Sequence, residues 1–71
     1  SMFTPDIEAN ELKDHFPEFS QYESGCRFLG CVHIGEKVCG VKDAVAEGKI
    51  SRSRYDNYHL MYDELKQKRR Y

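Results

Sequence analysis

The stretch that decides how this chain folds is Cys26-Arg27-Phe28-Leu29-Gly30-Cys31-Val32-His33-Ile34-Gly35-Glu36-Lys37-Val38-Cys39, which sets three thiols and one imidazole inside fourteen residues. Three Cys and one His form a closed tetrahedral zinc set, with Zn–S distances of about 2.3 Å and Zn–N distances of about 2.0–2.1 Å. With Cys26, Cys31, His33 and Cys39 filling all four positions, no coordination site remains for water or substrate. The pattern therefore points to one structural zinc ion and away from hydrolytic zinc chemistry. Four residues between Cys26 and Cys31 allow a turn that brings both sulfurs to one ion, and the single residue before His33 lets its side chain reach back. Gly25, Gly30, Gly35 and Gly40 flank or interrupt the set, where unusual backbone dihedrals are easiest.

Length and composition say why such a staple is needed. A chain of 71 residues, 39% hydrophobic and without Trp, with a mean hydropathy of -0.77, makes one domain with a modest core. Three cysteines is an odd number, so a complete disulfide framework within the chain is impossible and a metal is the better staple. Treating the cysteines as buried small hydrophobes and His33 as an ordinary polar residue leaves the folding of so short and hydrophilic a chain unexplained. Zinc supplies about 10–16 kcal/mol to finger-like peptides at neutral pH. A catalytic thiol beside a histidine is a second reading, but three cysteines around one histidine favour metal over nucleophile. His15, eleven residues before Cys26 in an acidic segment, and His59, in a C-terminal helix, are rival imidazoles. Three thiolates leave the site near -1, which Arg27 or Lys37 could offset.

Outside that loop the text is mainly helical. Asn10 is the expected N-cap of a short helix carrying Leu12 and Phe16 inward, with Pro17 disfavouring helical geometry at Phe16. From Phe19 to Val38 no period of 2 or 3.6 appears, so an irregular metal-binding loop is expected. Val41, Ala44 and Val45 fall at helical spacing, with Gly48 placed to cap the C-terminus. Ser51 then caps a helix in which Tyr55, Tyr58, Tyr62 and Leu65 recur at i, i+3, i+7 and i+10, joined by Met61. Three tyrosines on one helical face could stack nucleic acid bases, but such a stripe more often fills the core. The fold expected is mainly α, a small zinc-stapled domain of about three short helices with an irregular metal-binding loop.

Several function classes fall away. No apolar stretch approaches the eighteen or so residues of a membrane span and no signal segment opens the chain, so it reads as cytoplasmic, without a membrane partner. Ser1-Met2 reads as a cleavage scar ahead of a cloned segment. No Gly-x-x-x-x-Gly-Lys-Ser/Thr loop exists, Gly48-Lys49 being followed by Ile50, so no catalytic residue is assigned and the chain alone should hydrolyse nothing. The net charge of -1 is unevenly spread. Residues 1–25 hold six acids against Lys13, a net of -5, whereas residues 49–71 hold seven bases against Asp56, Asp63 and Glu64, a net of +4. The basic end is a candidate contact surface for an anionic partner.

The spacing Cys26-x4-Cys31-x-His33-x5-Cys39, followed by Val41-Lys42-x-Ala44-Val45-x-Glu47-Gly48-x-Ile50-Ser51 and Ser53-Arg54-Tyr55-x-Asn57-Tyr58, closely resembles the C-terminal zinc domain of the RsgA (YjeQ) family of bacterial GTPases. Asp6-Ile7-x4-Leu12 and His15-Phe16-Pro17-Glu18-Phe19 look like the family's segment between GTPase domain and zinc knuckle, so nearly the whole chain is covered. Members often carry Pro-Gly before the last cysteine, where this chain has Lys37-Val38, and Ala after it, where this chain has Gly40. The resemblance implies that residues 3–71 are the zinc-binding C-terminal domain of a parent with an OB-fold and a circularly permuted GTPase domain. GTP and Mg²⁺ would bind only in that GTPase domain. It implies that the parent, a hydrolase, binds the 30S subunit late in its maturation and hydrolyses GTP faster there. It would also help release ribosome-binding factor A.

Two functions follow for this chain, expected as a monomer. In the first it contacts the 30S subunit and its 16S rRNA, with Lys49, Arg52, Arg54, Lys66, Lys68, Arg69 and Arg70 meeting phosphate. In the second it is an intramolecular or protein–protein docking module that positions the GTPase domain, a role for which the acidic first segment is better suited.

Overall fold

The computed structural model describes residues 6–27 and 29–68, and of Lys68 the backbone alone. Among them are four helical elements and no strand: two 3-10 helices (Ala9–His15 and Pro17–Gly25), then α1 (Gly40–Ala46) and α2 (Arg52–Lys68). The mainly α reading holds, with a metal-loop stretch from Cys26 to Cys39 between the two halves.

The first helix is capped by Glu8 rather than Asn10. The Glu11 carboxylate accepts from the Glu8 backbone N–H at 2.8 Å while the Glu8 side chain accepts from the backbone of Glu11, a reciprocal box that satisfies two helix-end donors at once. Asn10 lies one residue inside the helix and is exposed. Phe16 breaks the helix, with φ -121° and ψ 77°, as the proline after it requires.

The stretch expected to be loop from Phe19 onward is instead helical as far as Gly25. Pro17 starts it, its fixed φ suiting a first helical turn and its missing N–H leaving no donor unpaired. Phe19, fully buried, anchors this second helix to the core. Its ring meets Phe16 at 5.3 Å in a stack and Tyr58 at 5.0 Å edge-on, so one aromatic cluster ties both 3-10 helices to α2.

Close approach of the second helix to α1 depends on glycine. A Cβ at Gly40 would stand 2.0 Å from the Tyr22 carbonyl oxygen and 3.0 Å from the Gly25 Cα, so the two backbones touch where no side chain fits. At the far end of α1, Gly48 takes φ +80°. The Gly48 N–H donates to the Val45 carbonyl at 3.1 Å and the Lys49 N–H to Ala44 at 2.8 Å, closing the helix in a Schellman motif. The cap read from the sequence is therefore present. Gly48→Ala meets no neighbouring atom, so its effect isolates the left-handed backbone: a loss of about 1–2 kcal/mol is expected, read as a lower thermal midpoint of the metal-loaded chain.

Ser51 caps α2 as expected, its hydroxyl accepting from the Arg54 N–H at 3.3 Å. Tyr55, Tyr58 and Leu65 are buried and Tyr62 packs beside them, so the aromatic stripe is core and not a stacking face. Arg54 of α2 makes a different contact, with the second 3-10 helix. Its guanidinium makes a two-pronged bond with the Glu18 carboxylate and lies 4.2 Å over the Phe16 ring, fastening α2 to the second 3-10 helix. That guanidinium holds the Glu18 carboxyl below its ordinary range.

Candidate metal centre

Three elements bring the four donors together. Cys26 follows the second 3-10 helix, Cys31 and His33 come from the loop, and Cys39 is the N-cap of α1. Their ligand atoms all lie within 4.8 Å of one another, a group close enough to hold a metal ion. Cys31, His33 and Cys39 are buried and Cys26 half-buried. No other imidazole reaches the group: His15 is exposed at the end of the first helix, and His59 stands 3.7 Å from Asp63 on α2.

The spacings among Cys26, His33 and Cys39 fit a tetrahedral ion. Bond lengths of about 2.3 Å to sulfur and 2.05 Å to nitrogen set sulfur–sulfur edges of about 3.8 Å and sulfur–nitrogen edges of about 3.6 Å. The Cys26 and Cys39 sulfurs are 3.8 Å apart, and His33 Nδ1 lies 3.6 Å from the first and 3.3 Å from the second. Together with Cys31 they form a soft, nitrogen-and-thiolate set of the kind that suits zinc.

Backbone groups are already aimed at the sulfurs. The Gly40 N–H donates to Cys26 Sγ at 3.3 Å and the Lys42 N–H to Cys39 Sγ at 3.5 Å, so the first turn of α1 presents two donors to thiolate charge. Burial pushes the Cys31 thiol up to about 12, and also raises Cys39. A cation is what makes thiolates stable at such depth, and its binding must release their protons.

The loop's shape is set by residues that spacing alone did not mark. The Glu36 carboxylate accepts from the N–H groups of Val32 and Ile34 at 3.2 and 3.1 Å, one on each side of His33. Burial would raise that carboxyl, but these N–H groups and its own hold it below its ordinary range. Lys42 Nζ donates to the carbonyls of Ile34 and Glu36, both at 3.1 Å. The fold thus seats this ammonium against the loop carbonyls. On the other side, the Tyr55 hydroxyl donates to the His33 carbonyl at 2.6 Å and the Tyr58 hydroxyl to Val32, so two tyrosines of the core stripe also hold the loop. Burial pushes both hydroxyls above their ordinary range.

Removing these hydroxyls separates the two roles of the stripe. Tyr55→Phe or Tyr58→Phe keeps the ring packing but strands a loop carbonyl. Each is expected to lower stability by about 1–2 kcal/mol without unfolding the chain, measurable by thermal unfolding of the metal-loaded protein.

Among the described residues, the basic side chains proposed from sequence have different surroundings. Arg54 is engaged by Glu18 and Phe16, and Lys49 pairs with Glu47 at 3.0 Å on the exposed surface. Arg52 and Lys66 are exposed at opposite ends of α2. The side chain of Lys68, together with Arg69 and Arg70, lies outside the described residues. Arg52 shares a shallow cleft with Lys42, Val45 and Tyr55.

No protein-family model matches the chain. Among curated proteins it is similar over its whole length, at 55% identity, to the small ribosomal subunit biogenesis GTPase RsgA of Agathobacter rectalis, of which it covers 24%. It is also 50% identical over 64 residues to RsgA 1 of Lactiplantibacillus plantarum, covering 90% of this chain and 22% of that protein. Among solved structures, YloQ, a circularly permuted GTPase, superposes on 96% of this chain with a TM-score of 0.86 at 40% identity, over 24% of the YloQ chain. YjeQ from Thermotoga maritima superposes on 84% of this chain with a TM-score of 0.79 at 50% identity, over 21% of its own length. The chain spans about a quarter of the relatives it matches. It matches their C-terminal part, and these relatives are ribosome biogenesis GTPases.

Proposed function

We infer that this chain is the C-terminal, zinc-stapled domain of an RsgA-type GTPase, and that its work is to help the parent engage the small ribosomal subunit. The observation that carries this reading is the 55% identity over the full 71 residues to a protein named for small-subunit biogenesis. Zinc is the ion proposed for Cys26, Cys31, His33 and Cys39, a reading supported by the Cys3His donor set and by the three edges among Cys26, His33 and Cys39 that match a tetrahedral site. A closed site leaves the metal no catalytic role, so GTP and Mg²⁺ are assigned to the parent's GTPase domain. Among the described residues no helix is long and apolar enough to cross a membrane. A cytoplasmic, monomeric module is proposed.

Contact with 16S rRNA phosphates would draw on Arg52, Lys49 and Lys66, which are exposed. Arg54 is better assigned to the fold. The Lys49–Glu47 pair is no obstacle, because an exposed ion pair is worth about 0–1 kcal/mol and a phosphate can replace its carboxylate. The test is co-sedimentation of zinc-loaded protein with 30S subunits across a salt series, beside a Lys49→Ala, Arg52→Ala, Lys66→Ala variant. Phosphate contact predicts binding that weakens with salt and a log–log slope that falls by about 1 for each contact removed. Salt-independent binding, or an unchanged slope in the variant, would exclude it.

A docking role toward the GTPase domain is the second reading. It is favoured by Leu29, fully exposed on the metal loop, and Leu60, 63% exposed on α2. Loss of GTP hydrolysis by the parent in a Leu29→Ser, Leu60→Ser variant that still binds 30S subunits would select it.

A further inference from the structure

We propose that Glu23 is the residue that decides which ring nitrogen His33 offers to the metal, an inference that rests on the zinc reading above. Nδ1 of His33 faces the sulfurs of Cys39 and Cys26 at 3.3 and 3.6 Å. Nε2, on the opposite side of the ring, lies 2.9 Å from Glu23 Oε2. A neutral imidazole carries one N–H and one lone pair, and an ionised carboxylate only accepts. The proton therefore belongs on Nε2, donated to Glu23, and the lone pair belongs on Nδ1, pointing at the ion. With His33 only 1% exposed in the folded chain, it is the carboxylate rather than solvent that meets that N–H.

The ring is held from other sides as well, which makes the carboxylate's share separable. Phe19 meets it edge-on at 5.7 Å and 89°, and the Tyr55 hydroxyl holds its backbone carbonyl. The backbone itself is left-handed, with φ 68°, a conformation a non-glycine residue keeps only when its surroundings impose it. Glu23 and Phe19 both come from the second 3-10 helix, and Lys13 Nζ stands 3.8 Å from the same Glu23 oxygen. The helix that the sequence concealed thus supplies two of the contacts that aim the imidazole. Glu23 acts through the imidazole it contacts: it is a positioning residue, and it carries no signature in the spacing of the ligands.

The test uses the 71-residue chain loaded with zinc. Nitrogen-resolved NMR of the wild type is expected to show His33 bound through Nδ1 with a protonated Nε2. Zinc affinity, measured by competition with a chelator, is expected to fall about 10–100-fold in Glu23→Ala. Glu23→Gln, which keeps an acceptor oxygen, should recover part of that loss, a rescue that mere disturbance of the helix would not give. Binding through Nε2, or an affinity of Glu23→Ala within twofold of wild type, would overturn the proposal while leaving the zinc site standing. Failure of the wild type to bind zinc would instead overturn the zinc reading beneath it. Should Glu23→Ala not fold, the wild-type spectrum and the Gln variant still decide.

Discussion

A chelator that strips the metal from the loaded chain is expected to abolish its cooperative thermal transition, and Cys39→Ser is expected to do the same with zinc present. The reasoning begins with size: small domains hold a net stability of about 5–15 kcal/mol at most, and short ones sit at the bottom of that range. A structural zinc contributes about 10–16 kcal/mol, as much as the whole. Here the site also ties the loop to the helices on either side of it. Among its described residues the loop from Cys26 to Cys39 has no regular secondary structure, its sulfurs receive the N–H groups of Gly40 and Lys42 from α1, and its backbone receives the hydroxyls of Tyr55 and Tyr58 from α2. Cys39 is both a donor to the cluster and the N-cap of α1, and because a serine hydroxyl can still cap the helix, Cys39→Ser isolates the loss of the metal ligand. Circular dichroism on heating, with zinc removed and then restored, measures the effect. A demonstrably metal-free chain that kept its transition within a few degrees would show that the aromatic core, not the metal, holds the fold.

What could be read in advance, and what could not, follows the range of the interactions involved. The stripe Tyr55, Tyr58, Tyr62 and Leu65 was legible because a 3.6-residue period is repeated over three turns, and Gly48 because a left-handed cap has a residue preference of its own. The four donors were legible from residue type, since few other arrangements account for three thiols and an imidazole so close together. The helix Pro17–Gly25 was hidden because a 3-10 helix has three residues per turn and this one buries only Phe19 outright. Its weak clue was Phe19 and Tyr22, three apart and both inward. Glu8 was missed as a cap because glutamate is not among the strong N-cap residues; its box works through Glu11, three positions on. Arg54 was read by its charge alone, and its partner Glu18 is 36 residues away in sequence. Glu36, Lys42 and Glu23 gain their roles only once the loop closes, so no local pattern could name them.

Acidification should release the metal and unfold the domain together, with a midpoint near pH 5 by linkage. In the unfolded chain each thiol titrates near its ordinary value of about 8.5, so at neutral pH all three carry protons that zinc must displace. The metal-free fold gives no relief, because burial pushes Cys31 up to about 12 and raises Cys39 as well, leaving both thiols protonated there too. The sign follows directly: the unfolded state binds about three more protons than the zinc-loaded state, so stability rises with pH and is lost as pH falls. The slope is three times 1.36, or about 4 kcal/mol per pH unit, steepening below about pH 6.5 as a free imidazole takes a fourth proton. Two units of acidification therefore remove about 8–10 kcal/mol, comparable to the whole contribution of the ion. A pH titration that follows zinc release with a chromophoric chelator and helicity by circular dichroism checks the coupling. Coincident transitions steeper than two protons are the expected result. Zinc retained at pH 4 in an intact fold would be incompatible with a centre built on three thiolates.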